Sequence, residues 1–246
     1  MSQEYVYGYH AVQAVLATKP QLITQLYLQK NREDKRQAVI VSTAKDLNIP
    51  VTALSRTEFE NLLGESVHQG VAAVCSGLVS FQENDLSHLM ASTEHPLLIL
   101  ILDGVQDPHN LGACLRSANA MGVDFVIAPK NRAVGMTSVV RKVACGAAEM
   151  TPFIQVTNLS RTLGFLKEEG VWLVGMAAEA SDDLSAIDLK GHIAIVMGSE
   201  GAGLRRLTRE HCDYLAKIPM LGTVSSLNVS VATGMCLYEV IRQRLS

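Results

Sequence analysis

The sequence predicts an α/β protein built from two modules, a small one at the N-terminus and a larger one with a mostly parallel sheet. Two observations indicate this fold class. Apolar, strand-like runs alternate with helical patterns along the whole chain. In addition, residues 97–102 are continuously apolar, which is typical of a strand buried on both faces of a parallel sheet. A chain of 246 residues can form one large domain or two small ones, so local composition has to decide between them.

The first module is predicted to be a small α/β sandwich. Helical periodicity and short β-prone runs follow one another from its first residues to its last. The predicted elements are helices at residues 8–17, 34–48 and 56–63, and strands at residues 25–29, 51–54 and 71–75. Elements that alternate over so short a module pack as one sheet covered by helices.

The second module opens with the apolar run at residues 97–102 and continues with strands separated by helical or loop segments. The further strand candidates are residues 124–129, 152–156, 171–177, 192–197 and 214–219. Strands joined in this way by crossovers form a mostly parallel sheet with helices on both faces.

The boundary between the modules is predicted from charge and composition. Residues 77–96 carry no basic and three acidic side chains, whereas residues 1–76 carry seven of each sign and residues 97–246 fourteen of each. The acidic stretch is rich in small polar residues, although its leucines and methionine have the spacing of one helical turn. We therefore predict domains at residues 1–76 and 97–246, joined by a linker at residues 77–96.

Composition also excludes several classes of protein. The chain is 48% hydrophobic, yet it has no apolar run of about 18 residues and no basic start followed by an apolar segment. We therefore expect a cytoplasmic protein without membrane association. The five cysteines lack CxxC spacing, so we expect reduced packing residues and neither a disulfide framework nor a zinc site. The net charge of -3 gives no global attraction to nucleic acid.

The first of three candidate functional segments covers residues 103–116, directly after the first strand of the second module. Pro108 suits the first position of a helix, and Asp107 suits its N-cap. Asn110 and Arg116 are six residues apart, so on a continuous helix they lie on different faces. The segment is either part of a ligand site at the carboxyl edge of the sheet or a capped helix with a surface arginine.

The second candidate segment, residues 195–204, is an apolar strand that enters a glycine-rich turn before a basic helix. Glycines let a ligand approach the backbone, and the helix N-terminus offers N–H groups to an anion. The order Gly-x-x-Gly-x-Gly is not the dinucleotide fingerprint, and the match to a nicotinamide or P-loop site is poor. A plain tight turn is the alternative, but Glu200 would then be a charge without a partner.

The third candidate segment, residues 217–232, places Ser225, Ser226, Asn228 and Ser230 in an apolar neighbourhood. Ser226 or Asn228 can cap the helix that follows, but one cap needs only one such residue. That helix has two apolar stripes, which predicts burial against the sheet and against a second subunit. The stripes are Leu227, Val231, Met235, Tyr238, Ile241 and Leu245, and Val229, Ala232, Cys236 and Val240.

Together the three segments resemble the three motifs of the SpoU family of RNA ribose 2'-O-methyltransferases. The resemblance rests on Asn-Leu-Gly-Ala-Cys-Leu-Arg-Ser, on Met-Gly-Ser-Glu-Gly and on Ile-Pro-Met followed by Ser-Leu-Asn-Val-Ser. The first module resembles the family's ribosomal-protein-like substrate-binding domain, with Tyr-Gly-Tyr-His-Ala-Val near its start and His-Gln-Gly at its end. This resemblance implies a trefoil-knotted catalytic domain that binds S-adenosylmethionine in a bent form, uses no metal and works as a homodimer.

The resemblance also implies roles for individual residues. It makes Gly198, Ile218 and Leu227 backbone contacts to the cofactor. It makes Met197, Glu200, Gly201, Met220 and Asn228 residues that shape the pocket. Arg116 corresponds to the family's suspected catalytic residue, but a guanidinium is a poor base because its pKa lies above about 12. We therefore expect Arg116 to bind the target phosphate or to stabilise negative charge, while Asn110, Glu200 and Ser226 orient it and the hydroxyl.

The RNA target is less sharply defined by the sequence. In its length and its Arg-Glu-Asp-Lys-Arg segment, the chain is most similar to family members that methylate a guanosine ribose of 23S ribosomal RNA in the peptidyl transferase loop. The rRNA substrate is either free or part of an assembly particle. A tRNA ribose, another rRNA nucleotide and a non-catalytic RNA-binding homologue remain alternatives. Two basic clusters are candidate RNA contacts. They comprise Lys30, Arg32, Lys35 and Arg36, and, in the second module, Arg141 and Lys142 beside Lys130 and Arg132.

Overall fold

The structure is a computed structural model that describes residues 3–30, 35–64, 68–76 and 81–246. The described chain divides into two compact units. Unit 1 comprises Met1–Val79 and Arg141–Met150, and unit 2 comprises Ser80–Val140 and Thr151–Ser246. Arg32 lies outside the described residues. None of the described helices is long and apolar enough to cross a membrane.

Unit 1 contains a four-stranded sheet in the order β1-β4-β2-β3. Its elements are β1 (Gln3–Tyr7), α1 (Tyr9–Thr18), β2 (Ile23–Gln29), α2 (Lys35–Asp46), β3 (Val51–Leu54), α3 (Arg56–Leu63) and β4 (Val71–Ser76). β4 pairs antiparallel with β1 and β2, whereas β2 and β3 are parallel. All three predicted helices and all three predicted strands are confirmed within a few residues at their ends. The edge strand β1 had no counterpart in the prediction.

Unit 2 is a seven-stranded sheet in the order β7-β6-β5-β10-β8-β11-β9, with helices around it. Its strands are β5 (Leu98–Asp103), β6 (Phe125–Pro129), β7 (Phe153–Val156), β8 (Trp172–Met176), β9 (Asp182–Asp183), β10 (Ile193–Gly198) and β11 (Tyr214–Lys217). Every neighbouring pair is parallel, which confirms the predicted sheet. The helices after residue 80 are α4 (Leu86–Ala91), α5 (Pro108–Ala120), α6 (Ser138–Ala144), α7 (Ala147–Met150), α8 (Leu159–Glu168), α9 (Arg206–His211) and α10 (Val229–Arg244). Of these, α7 belongs to unit 1.

The order of the strands in unit 2 brings the candidate segments together. β10 lies between β5 and β8 although it follows both in the chain. β5 is buried along its whole length, and β10 is buried up to Met197. Because all the strands are parallel, the segments that follow β5, β8, β10 and β11 emerge at the same edge, where ligands bind in open α/β sheets.

Part of the segment predicted as a linker is folded. Leu86, on α4, is buried in the core of unit 2, where Phe81, Leu89 and Met90 pack against the same cluster. The carboxylate of Glu83 accepts hydrogen bonds from the backbone N–H of Thr157 at 3.0 Å and from Arg161 at 2.7 Å. These contacts attach residues 81–91 to unit 2.

Residues 141–150 fold with the first module, a feature that periodicity did not indicate. The backbone of Gly146 packs on α1 so closely that a Cβ there would lie 2.8 Å from the Cβ of Ala14. The side chain of Glu149 is 1% exposed and binds Arg141 at 2.9 Å, which differs from the open RNA contact expected of Arg141. Lys142 is exposed, as an RNA contact requires.

Candidate functional site

A pocket of about 520 Å³ lies at the carboxyl edge of the sheet of unit 2. Three of its walls come from the segments that follow β8, β10 and β11, and the fourth from the start of α10. Of the residues that the sequence assigned to the cofactor or to catalysis, those lining the pocket are Met197, Gly198, Glu200, Gly201, Ile218, Met220, Ser226 and Leu227. Residues of the last two motifs therefore line one cavity.

The glycine-rich turn forms a closed loop at the end of β10. Ser199 and Gly203 exchange two backbone hydrogen bonds of 3.0 Å. Gly201 and Gly203 have φ values of 84° and 67°, a region that favours glycine. Gly198 is required for a different reason, because a Cβ there would overlap the backbone of Gly203 and Leu204. The loop therefore folds back on its own strand and presents its backbone to the pocket.

A chain of hydrogen bonds through Asn110 links all three motifs. Its Nδ2 donates to Oε2 of Glu200 at 3.3 Å, and its Oδ1 accepts from Nδ2 of Asn228 at 2.9 Å. Asn228 is the N-cap of α10, where its Oδ1 accepts from the N–H of Ser230 at 2.9 Å. We call Glu200, Asn110 and Asn228 the motif link. Glu200 thus has the partner that its position in the turn requires, and Asn228 caps the helix.

Asn110 and Arg116 lie on different faces of α5, as their spacing predicts. The helix begins at Pro108, and the carboxylate of Asp107 caps it by accepting from the N–H of His109 at 2.9 Å. Asn110 is 8% exposed and bound in the motif link, whereas Arg116 is exposed on the outer side of the helix. One capped helix therefore carries both a buried orienting amide and an exposed cation.

The anion site predicted at the start of the basic helix α9 is not built as expected. The carboxylate of Asp103, which is fully buried at the end of β5, accepts from the backbone N–H of Arg205 at 2.9 Å. Arg205 also places its Nε 3.4 Å from the same carboxylate. An acidic side chain of the protein therefore occupies the position predicted for a bound anion, and α9 is only six residues long.

Sequence reasoning missed the pocket wall that follows β8. Met176, Ala177, Ala178 and Glu179 line the cavity, together with Arg209 of α9 and Lys217 of β11. The guanidinium of Arg209 donates a hydrogen bond to the carboxylate of Glu179. This segment contains no recognisable motif, and its signal was its position directly after a strand that pairs with β10.

The cysteines that the structure buries behave as packing residues, as the composition predicts. Cys75, Cys114 and Cys236 are fully buried. Burial raises the pKa of Cys114 to about 11 and that of Cys236 to about 12, so both remain protonated thiols at neutral pH. A protonated buried thiol is not a nucleophile.

Two protein-family models match the chain. The SpoU rRNA Methylase family matches residues 97–238, and RNA 2'-O ribose methyltransferase substrate binding matches residues 5–79. The chain belongs to the SpoU methylase family. Its motif link and glycine loop lie within the range of the first model, and the sheet of unit 1 lies largely within that of the second.

Close relatives align with the SpoU chain over almost its full length. A Coxiella burnetii protein named 23S rRNA (guanosine-2'-O-)-methyltransferase RlmB is 62% identical over 239 residues, which cover 97% of this chain and 95% of the relative. The Escherichia coli (strain K12) protein of the same name is 51% identical over 241 residues, which cover 98% and 99% of the two chains.

Solved structures of SpoU proteins share the fold. The SpoU methyltransferase AviRb from Streptomyces viridochromogenes, in complex with AdoMet, has a TM-score of 0.78 at 23% identity and covers 99% of this chain and 91% of its own. The A. aeolicus TrmH/SpoU tRNA modifying enzyme has a TM-score of 0.57 at 28% identity and covers 66% and 84%. The fold predicted for the two modules is therefore confirmed.

We predict that Gly198→Ala lowers the free energy of unfolding by about 1 to 3 kcal/mol, because the new Cβ overlaps backbone that cannot move without opening the loop. Urea denaturation of the wild type and the variant measures the difference. Gly191→Ala is the matched control, since Gly191 is exposed and a Cβ there meets no atom within 4 Å. Equal stability of the two variants would contradict the close approach at Gly198.

Proposed function

We propose that this protein transfers the methyl group of S-adenosylmethionine to the 2'-oxygen of a guanosine ribose in 23S ribosomal RNA, in the peptidyl transferase loop. The observation that carries the proposal is the motif link, which joins the three SpoU segments beside one pocket. The relatives from Coxiella burnetii and Escherichia coli, whose names state the guanosine 2'-O-methylation of 23S rRNA, align with nearly the whole chain.

The pocket suits an adenosyl cofactor. Its volume of about 520 Å³ lies within the range of roughly 300–1,000 Å³ that is typical of small-molecule sites. Ile218, Met220 and Leu227 offer apolar contact to an adenine ring, and the backbone of the loop at Gly198 offers hydrogen-bonding groups. Met197 and Gly201 line the pocket at the end of β10. Asn228 is not part of the lining, but it caps α10 and so fixes the start of that helix. When bound, S-adenosylmethionine supplies an electrophilic methyl group.

Arg116 is the residue that acts on the RNA. Its planar guanidinium can bind a phosphate with two parallel hydrogen bonds or stabilise negative charge as it develops on the ribose oxygen. It is exposed on α5 and does not belong to the pocket lining. Such a position suits a group that meets a large substrate from outside.

Asn110, Glu200 and Ser226 orient the reacting groups. Asn110 is held on both sides of its amide, so the carboxylate of Glu200 is fixed relative to α5. Glu200 and Ser226 are exposed and line the pocket, where an RNA hydroxyl would approach. Methyl transfer requires the ribose oxygen, the methyl carbon and the sulfur in line, so fixed polar groups at this mouth lower the barrier by positioning.

Unit 1 binds the RNA substrate. Lys30, Lys35 and Arg36 are exposed, and the guanidinium carbon of Arg36 lies 5.9 Å from the centre of the Tyr9 ring. Arg32 belongs to the same cluster in the sequence. A protein of net charge -3 has to bind RNA through such local patches. Lys142 adds an exposed cation, while Arg141 is largely engaged by Glu149.

We further infer a domain arrangement from these assignments. Residues 1–76 bind RNA, and residues 97–246, apart from the segment 141–150 that folds with unit 1, form a trefoil-knotted catalytic domain. Residues 77–96 join them, with residues 81–91 packed on unit 2. The insertion of β10 between two strands that precede it supports the knot. The substrate is ribosomal RNA or an assembly particle, so the protein acts in the cytoplasm.

We also infer that the protein is a homodimer. One stripe of α10 is buried against the sheet side through Val229, Cys236 and Val240. The other stripe leaves Met235 47% and Tyr238 59% exposed, and Val231 and Leu245 are exposed beside them. A continuous apolar stripe on a helix is costly to leave in water, and a second copy of the same helix would cover it.

We predict that the purified protein labels 23S rRNA with radioactive methyl groups from S-adenosylmethionine, at the ribose of a single guanosine. Deproteinised 23S rRNA, 16S rRNA and tRNA are compared, and the product is mapped by its resistance to alkaline cleavage. Label on tRNA alone, or on another rRNA nucleotide, would contradict the proposed target while leaving methyl transfer intact.

The same assay examines Arg116. Arg116→Lys is expected to lower turnover about a hundredfold without a large change in cofactor affinity, because an ammonium cannot replace a two-pronged guanidinium contact. Arg161→Lys, at an exposed arginine that pairs with Glu83, is the matched control. Nearly full turnover of Arg116→Lys would exclude the two-pronged role.

We predict that Lys35→Glu and Arg36→Glu each weaken RNA binding without altering cofactor affinity. Each removed phosphate contact lowers the slope of log affinity against log salt by about 0.7 to 0.9. Filter binding at several salt concentrations measures that slope. Lys45→Glu, an equal charge change at the other end of α2, is the control. An equal loss of RNA and cofactor affinity would contradict the assignment.

We predict a particle of twice the chain mass of 26.6 kDa in size-exclusion chromatography with light scattering. Met235→Glu is expected to shift it to the monomer, because a charge would be buried in the apolar interface. Val39→Glu changes a comparably exposed apolar residue on α2 and should leave the mass unchanged. A wild-type monomer at micromolar concentration would contradict the dimer.

A further inference from the structure

The segment that follows β8 places an acidic residue, Glu179, in the wall of the pocket. Glu179 lies three residues beyond Met176, the last residue of β8. β8 pairs directly with β10, whose last residue is Gly198 of the glycine loop. Glu179 and the loop therefore stand on neighbouring parallel strands at the same edge of the sheet, and both line the pocket.

Glu179 is held in position by α9. The guanidinium of Arg209 donates from Nη1 to Oε1 of Glu179, and both residues line the pocket. Two hydrogen bonds keep the pKa of the Glu179 carboxyl below its usual value. The larger effect comes from its own backbone and the next from Arg209. The group is therefore a carboxylate at neutral pH. A carboxylate accepts about four hydrogen bonds, so capacity remains for a ligand.

The pocket lining contains two carboxylates, and Glu200 is the one already assigned to the reacting groups. Glu200 accepts from the amide of Asn110 in the motif link, on the side of the pocket nearest α5. Glu179 stands at the end of the strand on the other side of β10. A carboxylate at the end of a strand next to a glycine loop is suited to accept from ribose hydroxyls, because two adjacent O–H groups match two carboxylate lone pairs.

We propose that Glu179 accepts hydrogen bonds from the ribose hydroxyls of the bound nucleoside cofactor, and that Arg209 is a positioning residue that orients its carboxylate. This assignment rests on the proposed function, since it takes S-adenosylmethionine as the ligand. It adds a polar anchor for the sugar to the apolar and backbone contacts proposed for the adenine ring. Recognition of the cofactor then extends across β10, from the loop to the end of β8.

The experiment is a cycle of protein variants and ligand analogues, measured by isothermal titration calorimetry. The ligands are S-adenosylhomocysteine and its 2'-deoxy and 3'-deoxy analogues. Glu179→Ala is expected to weaken binding of S-adenosylhomocysteine about ten- to a hundredfold, the usual effect of losing hydrogen bonds to a charged group. The wild type should bind at least one deoxy analogue more weakly than S-adenosylhomocysteine, by a similar factor. Glu179→Ala should bind that analogue and S-adenosylhomocysteine with nearly equal affinity, because the hydrogen bond is already absent.

Further variants distinguish a hydrogen bond between the ligand and Glu179 from a role of Glu179 in shaping the pocket. Glu179→Gln keeps an acceptor but loses the charge, so its affinity should fall between those of the wild type and Glu179→Ala. Arg209→Gln should weaken binding less than Glu179→Ala, because the carboxylate remains. Glu210→Ala is the matched control on α9, since Glu210 pairs with Arg206 at 2.6 Å outside the pocket lining. It should leave affinity unchanged.

Each outcome decides the assignment. If Glu179→Ala and Glu179→Gln weaken S-adenosylhomocysteine and both deoxy analogues by equal factors, Glu179 only shapes the pocket and the proposal is wrong. If the wild type binds all three ligands equally, the hydroxyls have no anchor and the proposal is equally wrong. A wild type that binds S-adenosylhomocysteine but methylates no RNA would defeat the proposed function alone. A wild type that binds no S-adenosylhomocysteine would defeat both.

Discussion

The amide of Asn110 is the contact on which the arrangement of the site depends. Its side chain hydrogen-bonds to both other motifs, donating to Glu200 in the loop after β10 and accepting from Asn228, the cap of α10. An amide suits this position because it donates and accepts at once, whereas a carboxylate would repel Glu200 and a hydroxyl is too short to reach both partners. The hydrogen bonds of this amide therefore tie the cap of α10 and the loop after β10 to α5. The two helices also meet at Cys114 and Thr233, whose Sγ and Oγ1 atoms lie 3.5 Å apart.

Parallel strands make that contact possible. β10 is buried between β5 and β8, so its end, the end of β5 and the end of β8 share one edge. Asp103 lies at the same edge, where its buried carboxylate accepts from the backbone N–H of Arg205 and occupies the start of α9. Groups of the protein that bind one another therefore shape this edge of the sheet, together with the groups that remain available to a ligand.

Sequence reasoning recovered the parts of this structure that have a local signal. The apolar run of β5, the cap at Asp107 and the cap at Asn228 are each visible in a few neighbouring residues. The wall after β8 was missed because alanines and one glutamate acquire meaning only from the strand beside them. The role of Asp103 was missed for the same reason, as its partner Arg205 is distant in the chain. The resemblance to a family supplied the cofactor and the RNA, which periodicity alone does not.

The packing of residues 141–150 against α1 has a consequence for how the chain folds. Gly146 fits against Ala14, Thr18 donates to the sulfur of Met150 at 3.0 Å, and Lys19 donates to the carbonyl of Glu149 at 3.3 Å. A ribosome releases the first module long before these ten residues are made, and until then one side of α1 is bare. Unit 1 is therefore completed only after residues 141–150 have been synthesised, although its first 76 residues leave the ribosome earlier.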